Sequence, residues 1–349
     1  MKSTIILSLN SGSSSLKFGL HRVDAVGVET LLADAISAST EHEAVEQISA
    51  LLMEAKLPAP EAIGHRIVHG GMWLRQHCVI DQTVLQQLET AYPFAPLHTP
   101  ASLSLIRSAQ CEYPKLPQVA CFDTTFHLTL PDVARLLPID RTLQAQGIQR
   151  YGFHGLSCES IVHQLGASVP PRMVIAHLGN GASITAVQGG KSVDTSMGLT
   201  PSGGVMMGTR SGDIDPGVLI YLLREKQVDV TRLEYLIDHR SGLLGVSGIA
   251  SDMRVLHRAA ALSRDARLAI AMFCMSVKKQ IAAMTAVLGG LDLLVFTGGI
   301  GEHDALVRER ICEGLAWLGI ASDEASSVRV MASQEDVQIA RHTALLCKP

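Results

Sequence analysis

The chain reads as an α/β protein of two domains. Three observations predict it. At 349 residues the chain is longer than one hydrophobic core usually serves. Short apolar runs alternate with stretches of helical period. Two of those runs also share a strand, turn, strand pattern at one constant offset, with Leu9, Gly12 and Ser14 opposite Leu178, Gly181 and Ser183. Two related halves follow from that offset, and a cleft between them is the default place for a site.

Each element has its own signal. IILSLNSGSSSLKFGL (5–20) is an apolar run, a turn of small residues and an alternating strand. EHEAVEQISALLMEAKL (41–57) puts Val45, Ile48, Leu52 and Met53 on one helical stripe. QVACFDTTFH (118–127) is a strand that ends at Asp123, and MVIAHLGNGASITAV (173–187) repeats the opening unit. From 291 to 319 the chain reads as a buried strand, a glycine turn and a helix begun near Asp304, with Val307, Ile311, Leu315 and Leu318 inward. No low-complexity linker is present, so the domain boundary is placed in an ordinary turn after Phe126.

Composition excludes several classes. With 47% hydrophobic residues, 18% charged and a net charge of −4, the chain has no polyelectrolyte character, and nucleic acid is not an expected partner. Asn10 interrupts the N-terminal apolar run well short of a signal peptide, and runs such as LLVFTGGI (293–300) are too short to cross a bilayer, so no membrane span is expected. The seven cysteines are scattered, without a Cys-x-x-Cys spacing, which fits thiols of a reducing compartment, the cytoplasm.

The chemistry concentrates in turns of glycine and serine. NSGSSS (10–15), HLGNGAS (177–183), MMGTRSGD (206–213) and TGGIGE (297–302) read as turns after strands that offer N–H groups and hydroxyls to an anion. Familiar nucleotide motifs fail. GGKS (189–192) lacks the first glycine of a P-loop, where Thr185 stands, and reads as a hairpin turn. Gly179 and Gly181 are not followed by the third glycine of a dinucleotide fingerprint. Arg66 and Arg210 sit among glycines and apolar residues, and a buried arginine needs an anion. His154 and His177 stand out among fourteen histidines, while His65 and His69 lack a partner at zinc-ligand spacing. Asp123, Asn10, Gly179 and Gly298 share the carboxyl ends of strands, where α/β ligand sites gather. The set points to phosphoryl transfer.

LNSGSSSLK, GHRIVHGG, APLHTP, FDTTFH, YGFHG, HLGNGAS, DTSMGLTP, MMGTRSGDIDPG and TGGIGE carry a resemblance over almost the whole chain. The sequence resembles the acetokinase family, which phosphorylates acetate and belongs with sugar kinases, heat-shock ATPases and actin. The resemblance implies two ribonuclease H-like (actin-like ATPase) domains with an interdomain active-site cleft: residues 1–126 plus 337–349, with the last helix returning, and 127–336. It assigns Asn10 and Glu335 to Mg²⁺ (or Mn²⁺), with Asp336 as an alternative to Glu335. ATP or ADP would be lined by Lys17, His177, Leu178, Gly179, Asn180, Gly181, Asp252, Met253, Arg254, Gly299, Ile300, Gly301, Glu302 and His303. Arg66, Asp123, His154 and Arg210 would be catalytic, and Arg66, Val68, Leu97, Phe153 and Pro201 would hold the small acid. The resemblance also implies a homodimer. Compared with usual members the chain is shorter between Lys17 and Arg66, between Gly301 and Glu335, and in the tail, and His303 replaces a usual asparagine.

A short carboxylate is ionised at neutral pH, so its attack on the γ-phosphoryl group needs no base. Asp123 is therefore expected to orient Arg66, a metal-bound water or the substrate. Valine at 68 favours acetate over propionate or butyrate, which are the alternative substrates. A third reading is an actin- or chaperone-type ATPase that has no acid substrate.

Overall fold

The computed structural model describes residues 3–11, 16–96, 98–320 and 327–348, arranged on two sheets. The first contains β1 (Thr4–Ser11), β2 (Leu16–Val23), β3 (Val28–Ile36), β4 (Ala62–Ile67), β5 (Cys78–Val79) and β6 (Gln118–Phe122), in the order β3-β2-β1-β4-β6-β5. The second contains β7 (Arg172–Leu178), β8 (Ala182–Gln188), β9 (Lys191–Thr195), β10 (Leu293–Thr297) and β11 (Val328–Val330), in the order β11-β10-β7-β8-β9. Without the short edge strand β5 the two orders coincide. Each sheet is an antiparallel meander of three strands with two parallel strands added beside the first. Both meanders slip register between their second and third strands, at Leu20/His21 and at Ala186/Val187. Leu9 and Leu178, paired by the sequence offset, lie at or near the carboxyl ends of equivalent strands. This is the repeated ribonuclease H-like topology.

The described residues form two compact units. One takes in residues to Leu128, Gly155–Ser160 and those from Gln334; the other takes in Thr129–His154 and Ile161–Ser333.

In the first unit Leu7, Leu9, Phe18, Leu20 and Ile63 pack against Val45, Ile48 and Leu52 of the helix Glu41–Glu54. Thr40 starts that helix by accepting the Glu43 N–H at 3.1 Å. Met53, expected on the same stripe, is 71% exposed, because Val45, Ile48 and Leu52 already fill the face and Met53 lies one position around it. The last helix, Glu335–Leu346, also belongs to this unit. Its Ala340 and Ala344 pack on Ile6 and Ala62, and its Ile339 on Val119 and Cys121. A Cβ at Gly64 would come 2.2 Å from Thr343 Oγ1 and 2.5 Å from Ile339 Cγ2, so glycine is what lets the helix lie so close to β4.

In the second unit the helix Arg264–Leu288 lies against β7 and β8 and buries Ala269, Ile270, Phe273, Val277, Ile281 and Met284. By length and composition it is apolar enough to cross a membrane, contrary to the expectation that every apolar run is too short. Its burial at helical spacing marks a core helix. Gly189 and Gly190, with φ of +54° and +82°, make the tight turn from β8 to β9, as read for GGKS. Two expectations change. MMGTRSGD does not follow a strand but lies in the irregular segment between β9 and the helix Pro216–Arg224, where Gly208 N–H donates to Asn180 O. The turn after β10 winds into a short helix, Gly298–His303, and the helix capped by Asp304 ends at Glu313, leaving Leu315 and Leu318 outside it.

Candidate active site

In the first unit three adjacent parallel strands deliver three side chains. Asn10 lies near the end of β1, Arg66 on β4, and Asp123 directly after β6, with Arg66 level with Cys121. Arg66 Nε and Nη2 donate to Asp123 Oδ2 at 3.0 and 2.5 Å, and Nη1 donates to Asn10 Oδ1 at 3.3 Å. Asn10 Nδ2 donates to Glu335 Oε2 at 2.9 Å. The backbone of Asp123 is fixed as well: its N–H donates to Ile67 O and its C=O accepts from Gly155 N–H. A Cβ at Gly155 would come 2.1 Å from that oxygen, which explains the glycine that follows His154.

Burial drives the Asp123 carboxyl up, to about 6, and Glu335 pushes the same way while Arg66 opposes. Burial also works against the charge on Arg66, but the carboxylates of Asp123 and Glu335 outweigh it and raise its pKa. The pair is therefore ionised at neutral pH. Two buried oxygens, Asp123 Oδ1 and Asp336 Oδ1, have no hydrogen-bond partner among the described residues. Burial and Glu335 raise the pKa of Asp336, while Lys17 and Arg66 lower it. Lys17 stands opposite Asn10 in the β1–β2 register and is exposed. These hard oxygens suit Mg²⁺ or Mn²⁺ better than a thiophilic metal. The small residues 12–15, expected to cradle phosphate, lie outside the described residues, and so does Leu97. Val68 is buried and lines a recess with His69, Leu88, His98 and Ser102.

The second unit assembles another set. His154 adopts φ +56°, stacks on His177 with ring centroids 4.1 Å apart, and places Nδ1 3.0 Å from Ser183 Oγ. Ser183 can donate to Nδ1, which leaves Nε2 as the donor. A Cβ at Gly181 would lie 3.3 Å from both His154 Nε2 and Arg210 Nη1, so these two groups converge on a spot that glycine keeps open. Arg210 Nη1 also donates to Pro201 O at 3.3 Å, and Phe153 is buried beside His154 in sequence.

The turns at 178–181 and 298–301 leave the carboxyl ends of the neighbouring parallel strands β7 and β10. A Cβ at Gly179 would lie 4.0 Å from Gly299 N; one at Gly298, where φ is +77°, would come 2.8 Å from Leu178 O. The side chains of Leu178 and Met253 are buried, Asn180 and His303 are exposed, and Asp252 caps the helix Met253–Ala259 while pairing with Arg254.

Two features escaped the sequence reading. Ser183 had no signal as a partner of His154, because only the β7–β8 register brings it there. His77, Glu159 and His342 hold ligand atoms within 4.8 Å of one another. Phe122 N–H donates to His77 Nδ1, so the proton of the neutral ring sits on Nε2, and the cluster reads as the 2.8 Å His342–Glu159 hydrogen bond beside a neutral histidine rather than a metal centre.

The sequence profile of the acetokinase family matches residues 28–346. The chain belongs to the acetokinase family. The chain is 38% identical to the acetate kinase of Methylocella silvestris over 399 residues, covering 99% of the chain and 98% of the relative. It is 42% identical to the acetate kinase of Chromobacterium violaceum over 351 residues, covering 92% and 88%. The first alignment is longer than the 349-residue chain, so that relative has segments this chain lacks. Among solved structures, a propionate kinase from Francisella tularensis matches at TM-score 0.88 and 36% identity, covering 98% of this chain and all of that one. The acetate kinase of Porphyromonas gingivalis matches at TM-score 0.84 and 33% identity, covering 99% and 100%.

Proposed function

We propose that the chain transfers the γ-phosphoryl group of ATP to acetate, reversibly, giving acetyl phosphate and ADP. The observation that carries this reading is the Arg66 guanidinium, clamped by Asp123 on one edge and by Asn10 on the other. It is a fixed cation among hard oxygen donors, suited to a carboxylate or phosphate. With Oδ2 committed to Arg66, Asp123 serves as an orienting group, and an ionised acid acceptor requires no base. Asn10 and Glu335 would hold Mg²⁺, which when bound supplies charge neutralisation on the phosphate oxygens. Arg210 and His154 are assigned to the charge that develops on the transferring group. Lys17, His177 to Gly181, Asp252 to Arg254 and Gly299 to His303 are assigned to ATP or ADP. Incubation with MgATP, acetate and hydroxylamine should give acetyl hydroxamate. Absence of acetate-dependent hydroxamate would overturn the reading.

One finding favours a second substrate: the likeness to a propionate kinase structure. Acetate is nevertheless assigned as the preferred acid, because Val68 is buried and its branched side chain leaves less room for a longer tail than an alanine would. One methylene is worth about 1–3 kcal/mol in such a pocket. Val68→Ala should shift the kcat/KM ratio toward propionate; an unchanged ratio would remove Val68 as the gate.

A homodimer in the cytoplasm completes the proposal. No disulfide joins the described cysteines, which accords with a reducing compartment. The helix Pro216–Arg224, PGVLIYLLR, has no buried residue although it is apolar all round, a pattern that belongs to buried helices. Val218, Ile220 and Tyr221 on it, with Val230 and Tyr235 on the next helix, are each more than 40% exposed. Arg224, Glu225, Lys226, Asp229, Arg232 and Glu234 around them balance in sign. Such a surface meets its own copy without net repulsion and offers no excess charge to an acidic or basic partner.

A further inference from the structure

The turn after β10 holds a carboxylate that faces away from its open side. Glu302 Oε1 accepts Gly298 N–H at 2.9 Å, Ser333 N–H at 3.0 Å and the Thr297 hydroxyl at 3.3 Å. The other end of the same short helix is held by Arg308, whose Nη1 donates to Gly301 O at 2.9 Å and Glu302 O at 3.0 Å. Gly298 is pinned against Leu178 O, whereas a Cβ at Gly299 would meet nothing within 4 Å. The side of the turn that can receive a ligand is therefore at Gly299, and the carboxylate sits behind it. Ser333 extends the arrangement. The next residue, Gln334, donates its N–H to Ser160 Oγ at 3.1 Å, and the one after is Glu335, which accepts from Asn10.

From this geometry we infer that Glu302, assigned above to ATP or ADP with the rest of its turn, is a positioning residue that acts through the turn and does not itself touch the nucleotide. It fixes the Gly298–Gly301 turn and ties it to the segment that carries the metal-side carboxylate Glu335. The inference rests on the reading that nucleotide occupies the 299–303 turn. One oxygen with three donors is a single point at which both the turn and the 333–335 segment can be loosened. Loss of a charged acceptor shared by three donors should weaken nucleotide binding by about tenfold or more. A carbonyl in its place keeps one acceptor without the charge and should restore part of that loss.

The test is calorimetric titration of MgADP, and of Mn²⁺ alone, into the wild-type chain, Glu302→Ala and Glu302→Gln. Thermal unfolding and the active fraction are measured in parallel, and ATP kinetics accompany the titrations. Glu302→Ala should raise the MgADP Kd about tenfold, weaken Mn²⁺ binding in the same direction, and raise KM for ATP with kcat changed less than about threefold. Glu302→Gln should fall between Ala and wild type, which keeps the test available should the alanine variant fail to fold. A Glu302→Ala chain that loses active fraction or Tm but binds MgADP within twofold of wild type would show a merely structural role. A change in MgADP binding with unaltered Mn²⁺ binding would remove the tie to Glu335. Failure of the wild-type chain to bind MgADP would instead overturn the functional reading beneath the inference.

Discussion

Arg66 is held by groups that come from β1, from the end of β6 and, through Asn10, from the last helix. Burial alone penalises its charge, so its neighbours decide its role. The strand-end positions of Asn10 and Asp123 were legible because an apolar run that stops at a polar residue shows where the strand stops. The convergence of His154 and Arg210 on Gly181 was not legible, since it depends on a left-handed residue at 154 and on an irregular segment at 206–213. Nor was the inward aim of Glu302, which a motif match counts simply as part of the nucleotide turn. Arg210 Nη1 donates to the Pro201 carbonyl at 3.3 Å and lies 4.0 Å from the Met207 sulfur. Arg210→Ala should lower kcat by about 10²- to 10³-fold, on the scale of lost charge-stabilising donors, with an unchanged circular dichroism spectrum. A variant that retains more than half of wild-type kcat would take Arg210 out of the transition state.

At the scale of elements, apolar runs and helical stripes located β1, β6, β7, β10 and the helix Glu41–Glu54. Where the reading went astray, tertiary contacts overrode local pattern. Met53 had the right spacing but a filled face, and the 206–213 segment had turn composition without a preceding strand. The long helix Arg264–Leu288 was not recognised as a potential span because lysines and small residues interrupt its apolar stretch. Gly64 links element packing to the site, since the last helix that rests on it begins with Glu335. Gly64→Ala inserts a methyl where Thr343 and Ile339 already stand, and overpacking of this kind costs about 1–3 kcal/mol. Chemical denaturation should show that loss with an unchanged m-value. Full wild-type stability would mean that the helix can shift without cost.

The molecule as a whole carries a signature of acid sensitivity. Burial depresses His21, His65 and His77 to about 4 from the ordinary histidine value. Between about 6.5 and 4 the unfolded chain binds these protons and the folded chain does not, so the stability is present above that window and lost as pH falls through it. Asp123, raised to about 6, acts the other way for one proton, and the raised carboxyls of Asp336 and Asp194 act in the same sense as Asp123. Stability should therefore fall by at most roughly 2–3 kcal/mol per pH unit around pH 5, with net proton uptake on unfolding. A flat stability profile from pH 7 to 4.5 would contradict this account. Pairing is tested at the same scale by light scattering. The wild-type chain should be a dimer and Ile220→Asp with Tyr221→Asp a folded monomer, whereas a double variant that remains dimeric would move the interface elsewhere. The most direct measurement follows the γ-phosphate itself, with the chain given γ-labelled MgATP in the presence and absence of acetate. Label should pass to acetyl phosphate only when acetate is present. Label released as inorganic phosphate at a rate indifferent to acetate would make the chain an ATPase and contradict the assignment of Arg66 to a carboxylate substrate.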